Sequence, residues 1–140
     1  MNEPDKNKQI IQNFIQVVWN GRDLSALKYF WAEDCVNHAM LGTDNRGLNA
    51  LRIYHDSFFD DFLSAFPDIQ IEIVQQVAEG DRIATYITSQ GTHSGTFYGA
   101  PPTGKTISTS VIRIDRVRDG KIAEHWSVSD AAGLMQQLQS

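Results

Sequence analysis

The chain has a single cysteine among 140 residues, so no disulfide can form within it. Cys35 reads as a small buried filler rather than a catalytic thiol. Positive charge is also scarce: 12 Lys and Arg face 17 Asp and Glu, a net charge of −5 with histidines neutral. No basic stripe offsets this, which excludes nucleic acid and anionic membrane surfaces as partners. No apolar run approaches bilayer-spanning length. The opening stretch, residues 1–8, lacks the apolar segment of a signal peptide, and a cytoplasmic location is expected. Repeats, low-complexity tracts and linkers are absent. The length suits one domain over residues 9–140 behind a polar, flexible N-terminus at 1–8. There is no close His-x-His or His-Glu-x-x-His spacing, so no metal is expected.

What the chain does have is a change of period. Ile10, Ile11, Phe14, Ile15, Val17 and Val18 recur at helical spacing until Asn20-Gly21. Asp23 can cap a second helix whose apolar side carries Leu24, Leu27, Phe30 and Trp31. Residues 34–38 read as a short extended piece or turn, and 40–47 as loop. A third and longest helix covers 48–66, with Pro67 ending it. From Asp68 onward apolar residues alternate. Four strands at about 68–78, 82–93, 106–117 and 121–129 form an antiparallel meander, followed by a short helix over 131–139. Asp119-Gly120 is the strongest hairpin signal in the chain. This is an α+β pattern: N-terminal helices packed on a strongly curved antiparallel sheet, a cone whose concave side suits a ligand.

On the last strand, Ile122, Glu124, Trp126, Val128 and Asp130 share a face if the alternation is regular. If Trp126 lines the cavity, Asp130 points the same way, about 13 Å further along. Asp130 has two readings, a general acid/base in an apolar cavity and the N-cap of the helix beginning at Ala131. The two can coexist. Glu124 is a second acid on that face, or an ion-pair partner of Arg113 or Arg116 across the hairpin. Arg113 is available to orient a substrate carbonyl, and the Tyr54 hydroxyl to reach a ligand. His38 and His93 both sit where strand meets loop and suit carbonyl polarisation or proton shuttling. His125, on the face opposite Trp126, is expected to be exposed or at a subunit contact, and His55 to lie on a solvated stripe with Asp56. The Gly- and Pro-rich stretch 91–104 is followed by a strand, not a helix, so it shapes a rim loop rather than cradling phosphate. Tyr86, Thr88, Val111 or their alternates make the outer sheet face too apolar to stay wet, and a homodimer through it is expected.

Several motifs, taken in order, resemble one family. They are Asp34-Cys-Val-Asn-His38, Phe66-Pro67-Asp68, Gly91-Thr-His-Ser-Gly95, Pro101-Pro-Thr-Gly104, Arg116-Val-Arg-Asp-Gly-Lys-Ile122, and Glu124-His-Trp126 with Asp130. Together they resemble the SnoaL-like polyketide cyclases, from about Ile10 to Leu138. The resemblance implies the cone-shaped α+β barrel shared with nuclear transport factor 2, ketosteroid isomerase and scytalone dehydratase. It implies ring closure by intramolecular aldol condensation of a polyketide ester, without metal or cofactor. It places the general acid/base at Asp130; the reading of the residues adds His38 or His93 as its assistants and sets Trp126, Tyr54, Glu124 and Arg113 around a hydrophobic substrate. The other readings are a related isomerase, dehydratase or epoxide hydrolase, and a protein that binds a hydrophobic small molecule without chemistry.

Overall fold

The computed structural model describes residues 2–40 and 45–140. Asn2 accepts the backbone N–H of Asp5 at 2.9 Å and starts α1 (Glu3–Phe14), earlier than Gln9 where the apolar period begins. Pro4 sits in the first turn, where its missing N–H leaves nothing unpaired. The helix continues in wider π-type turns over Ile15–Asn20. Ile11, Phe14, Ile15 and Val18 face inward. Asn20 closes the element by pairing its side chain with both the N–H and the carbonyl of Ile71, each at 2.9 Å.

The second helix is shorter than its apolar spacing predicts. Asp23 caps a 3₁₀ turn, Leu24–Ala26, that runs into the single turn of α2 (Leu27–Phe30). Trp31 is already extended and opens strand β1 (Trp31–Asn37), which runs parallel to the last strand. The meander read from the sequence is therefore a mixed sheet with a fifth strand at its edge. The register slips between Trp31 and Val36, so β1 buries its residues without the period of two that would have revealed it. Helix α3 (Gly47–Phe58) extends in π-type turns through Leu63, before Pro67.

Strands β2 (Gln70–Glu79), β3 (Arg82–Thr92), β4 (Thr106–Arg118) and β5 (Lys121–Ser129) pair antiparallel, giving the order β1-β5-β4-β3-β2. Asp119 and Gly120 both take positive φ, 52° and 77°, the twist a two-residue hairpin needs. Helix α4 (Ala131–Gln139) closes the chain. One apolar cluster joins α1 to the sheet through Phe14, Trp31, Leu51, Ile83 and Ile122. A second joins Phe66, Ile69, Phe97 and Ile107 to Leu134 and Leu138 of α4. No helix of the described residues is long and apolar enough to cross a membrane.

One bulge decides which way β5 faces. Val117 pairs with Ile122 but Arg116 pairs with Glu124, leaving Ala123 as the extra residue. Ile122 and Ala123 are both buried, and the alternation restarts one residue late. His125, Ser127 and Ser129 therefore line the interior cavity, while Glu124 and Trp126 lie outside it. This overturns the regular alternation: Trp126 does not share the face of Ile122, and His125 is buried rather than exposed.

The loop after β3 docks on the end of α3. The N–H groups of Ser94 and Gly95 both donate to the Ala65 carbonyl, at 3.0 and 3.1 Å. A Cβ on Gly95 would collide with the Ser64 carbonyl oxygen, which is backbone and cannot swing away. Gly95→Ala is expected to destabilise the fold by about 1–3 kcal/mol, the usual range for overpacking. Urea unfolding checks this, and an unchanged midpoint would contradict the close approach.

Candidate active site

The interior cavity, about 280 Å³, lies between the inner sheet face, α3 and α4, and its wall is mostly apolar. Trp19, Phe58, Phe62, Ile71 and Phe97 make much of that wall. The polar exception is a cluster where β1, β5 and β4 run side by side. His125 pairs in register with Asn37 on one flank and Asp115 on the other. Arg113 sits two residues from Asp115 on the same strand face.

Asp115 is fully buried. It accepts Arg113 Nε at 2.7 Å, Arg113 Nη2 at 2.8 Å and His125 Nδ1 at 2.8 Å. Burial alone would raise its pKa, but the Arg113 and His125 partners outweigh that and hold it down at about 2. The carboxylate is thus ionised and can only accept, so His125 Nδ1 carries the proton in that bond. Among the described residues no hydrogen bond reaches His125 Nε2, and the ring lines the cavity. Burial, then the Arg113 charge, pushes the His125 pKa below its ordinary value, which favours the neutral imidazole. Arg113 also lies 5.0 Å over the Phe14 ring, which fixes its side chain.

Two donors of residues in the same wall lack acceptors among the described residues. Asn37 Oδ1 takes the Ala39 N–H at 3.0 Å, which turns its Nδ2 away, and that Nδ2 is buried without a partner. Trp31 Nε1 is buried and unpartnered too, with its ring edge-on to His125 at 5.6 Å. Unpaired buried donors are rare enough to need a reason, and a ligand oxygen is one. Among the described residues no three His, Cys, Asp or Glu side chains converge as a metal-ligand set.

His55 was expected on a solvated stripe but is only 3% exposed. Its Nδ1 donates to the Leu51 carbonyl at 2.9 Å, and burial lowers its pKa to about 4. Tyr54 lines the cavity, and burial raises the pKa of its hydroxyl.

The other sequence-derived site residues divide between mouth, outer face and loop. Asp130 lies at the cavity mouth, exposed, and its Oδ1 caps α4 by accepting the Gly133 N–H at 2.8 Å. His38, Trp126 and Glu124 lie outside the cavity. The His38 ring stacks on Trp126 at 4.8 Å and 9°, and its Nε2 pairs with Glu124 at 2.8 Å. Glu124 also takes Arg116 Nε at 2.7 Å, the cross-hairpin pair that the sequence allowed. Arg82 lies 4.9 Å over Trp126. His93 is wholly buried but does not line the cavity. Its Nδ1 accepts the Thr103 N–H at 3.2 Å, tying down the rim loop. Tyr54, Arg113 and Asp130 thus meet at the cavity, while His38, His93, Glu124 and Trp126 do not. Sequence reasoning missed Asp115, His125 as an inward group, Asn37 and His55. Counting back from the Asp119-Gly120 turn sets Asp115 opposite Glu124, and only the bulge at Ala123 moves it opposite His125.

A family model for SnoaL-like polyketide cyclases matches residues 9–138. The chain belongs to this family. AclR of Streptomyces galilaeus, described as a candidate hydroxylase, is 31% identical over 98% of this chain and 87% of its own, with a TM-score of 0.80. IdmH of Streptomyces antibioticus, a candidate polyketide cyclase, is 29% identical over 96% and 99% of the two chains, with a TM-score of 0.79. A curated relative, nogalonic acid methyl ester cyclase of Streptomyces nogalater, is 31% identical over 71 residues, 51% of this chain and 53% of that enzyme. That match spans about half the length of the relative. The SnoaL-like fold, with N-terminal helices against a mixed sheet of the nuclear transport factor 2 type, is thus shown by family and structure together.

Buried His55 makes the stability of this SnoaL-like protein pH-dependent. The folded pKa of His55 lies below its ordinary 6.5, at about 4. Between those values the unfolded chain takes up a proton that the folded protein refuses. Stability is therefore intact above pH 6.5 and falls as the pH drops towards 4, by about 3 kcal/mol. Urea unfolding across that range should show the loss, and His55→Gln should lessen it, leaving the part that the lowered pKa of His125 contributes. An unchanged slope in the variant would contradict the assignment.

Proposed function

We propose that this SnoaL-like protein is a cofactor-independent acid/base enzyme acting on a hydrophobic, carbonyl-containing small molecule, with His125 moving the proton. The observation that carries the reading is the Asp115–His125 pair, buried at an apolar cavity that the imidazole helps to line. Asp115 orients the ring, fixes its tautomer and stabilises the imidazolium once it forms. A neutral His125 takes a proton α to a substrate carbonyl. Asn37 and Trp31 also line the cavity, and their unpaired Nδ2 and Nε1 are the donors nearest to hand for the oxygen that becomes an enolate. In the named case, an intramolecular aldol cyclisation, the enolate carbon attacks a second carbonyl carbon of the same chain. The carbon–carbon bond closes the ring, and the new alkoxide takes the proton back from the His125 imidazolium. Isomerisation by removing and returning one proton would use the same groups. Aldol closure is favoured because the family model is that of polyketide cyclases.

Asp130 is the rival base, and its exposure and its capping bond argue against it. Turnover of a polyketide methyl ester separates the two. His125→Gln is expected to lose about 10²-fold or more, the scale of general acid/base groups. Asp130→Asn, which keeps capping ability, should stay within a few-fold of the parent. The reverse ranking would return the role to Asp130, and full activity in both variants would sink acid/base catalysis by either.

The assembly that accompanies this reading is a homodimer through the outer sheet face. Val111 belongs to the cavity wall instead, but its neighbours Ile112 and Ile114 are exposed, beside Tyr86 and Val128, the last at 77%. Sedimentation should give twice 15.7 kDa, and Ile112→Lys with Val128→Lys should give the monomer mass. A monomeric parent at high concentration would contradict the dimer.

A further inference from the structure

Besides His125 Nε2, the cavity wall holds another ring nitrogen of the opposite character to its unpaired donors. Asn37 Nδ2 and Trp31 Nε1 are donors seeking acceptors. His55 is the converse. Its Nδ1 faces the Leu51 carbonyl at 2.9 Å, and a carbonyl can only accept, so Nδ1 carries the ring proton. Nε2 is then a lone pair. Among the described residues no hydrogen bond reaches it, and the ring that carries it helps to line the cavity. The adjoining Tyr54 ring, edge-on at 5.4 Å, supplies it no hydrogen bond. Its remaining ring neighbours are aromatic: Trp19 at 5.4 Å, Phe14 at 6.2 Å and Trp31 at 6.3 Å.

We propose that His55 is a specificity-determining residue that accepts, at Nε2, a hydrogen bond from a hydroxyl group of the ligand. This rests on the cavity being a ligand site, but not on His125 being the base. Burial keeps the imidazole neutral down to about pH 4, so the acceptor persists across the physiological range. An apolar ligand fills the same space and leaves the lone pair unmet. A hydroxylated ligand meets it with an O–H that water would otherwise hold. Sites built to pair a ligand hydroxyl discriminate against the analogue lacking it more strongly than apolar walls discriminate by shape. The ligands selected are therefore ring-sized apolar compounds with a hydroxyl donor near the α3 wall and a carbonyl acceptor near Asn37.

A matched pair of probes tests this by calorimetry at pH 7: 2-naphthol, and 2-methylnaphthalene, which has nearly the same shape and no hydroxyl. The parent protein should bind 2-naphthol roughly 10-fold more tightly, the range of one net hydrogen bond. His55→Leu should bind the two alike, with 2-methylnaphthalene unchanged. A parent protein that binds both probes equally overturns the role of His55 and leaves the cavity reading standing. Failure to bind either overturns both. Should His55→Leu not fold, the ¹⁵N spectrum of the parent decides. The His55 Nε2 resonance should move on adding 2-naphthol and stay on adding 2-methylnaphthalene, and an unmoved resonance with bound 2-naphthol rejects the proposal.

Discussion

The Asp115 carboxylate is the constraint around which the interior is arranged. A bare buried carboxylate would cost several kcal/mol, and here three hydrogen bonds from two groups offset that. Both partners must stand where they do. Arg113 reaches back along β4 from two residues away, and His125 comes across the sheet from β5. Removing Arg113 would leave charge uncompensated in a low-dielectric interior, a loss of about 3–5 kcal/mol for comparable buried pairs. The same bonds that make the charge tolerable also set the tautomer of His125. Structural necessity and chemical readiness are one arrangement at this point.

That arrangement depends on a single extra residue. Without the bulge at Ala123, regular pairing would set Glu124 against Asp115, acid facing acid, and turn His125 outward. With it, Glu124 leaves the interior for Arg116 and His38, while Trp126 stacks with His38 outside. Two polar clusters of opposite exposure thus come from adjacent residues of one strand. The small side chain of Ala123 suits the place, since it is buried together with Ile122 where the strand departs from its pleat.

Much of the fold was legible because its signals are local. Pro67 marks the change from helical to alternating period, and Asp119-Gly120 supplies the positive φ values of a two-residue hairpin. The ordered motifs from Ile10 to Leu138 cover almost the span that the family model matches, 9–138. What was not legible is non-local. Strand β1 is short, slips in register and pairs with β5, 85 or more residues away in sequence, so its burial shows no period. A bulge has no sequence signature of its own, and one misplaced residue inverts every later assignment on the strand. That is how Trp126 and Glu124 came to be read as cavity residues and His125 as a surface one. His55 was misread because a helical wheel places it beside Asp56 but does not show the aromatic rings of Trp19 and Trp31 closing over it.

The polar groups of the cavity are few, and they do different things. Asn37 and Trp31 offer hydrogens, and His55 and His125 offer lone pairs. The two imidazoles are made alike by burial, yet their second nitrogens are held by unlike partners. Burial lowers the His55 pKa to about 4, and the neutral Leu51 carbonyl that its Nδ1 meets offsets only part of that. Asp115 gives His125 a full negative charge that partly opposes the effect of burial and of Arg113. A proton moving onto an imidazole in this cavity is therefore stabilised at His125 and not at His55. One ring is suited to proton transfer and the other to recognition, and the difference lies in what each Nδ1 touches.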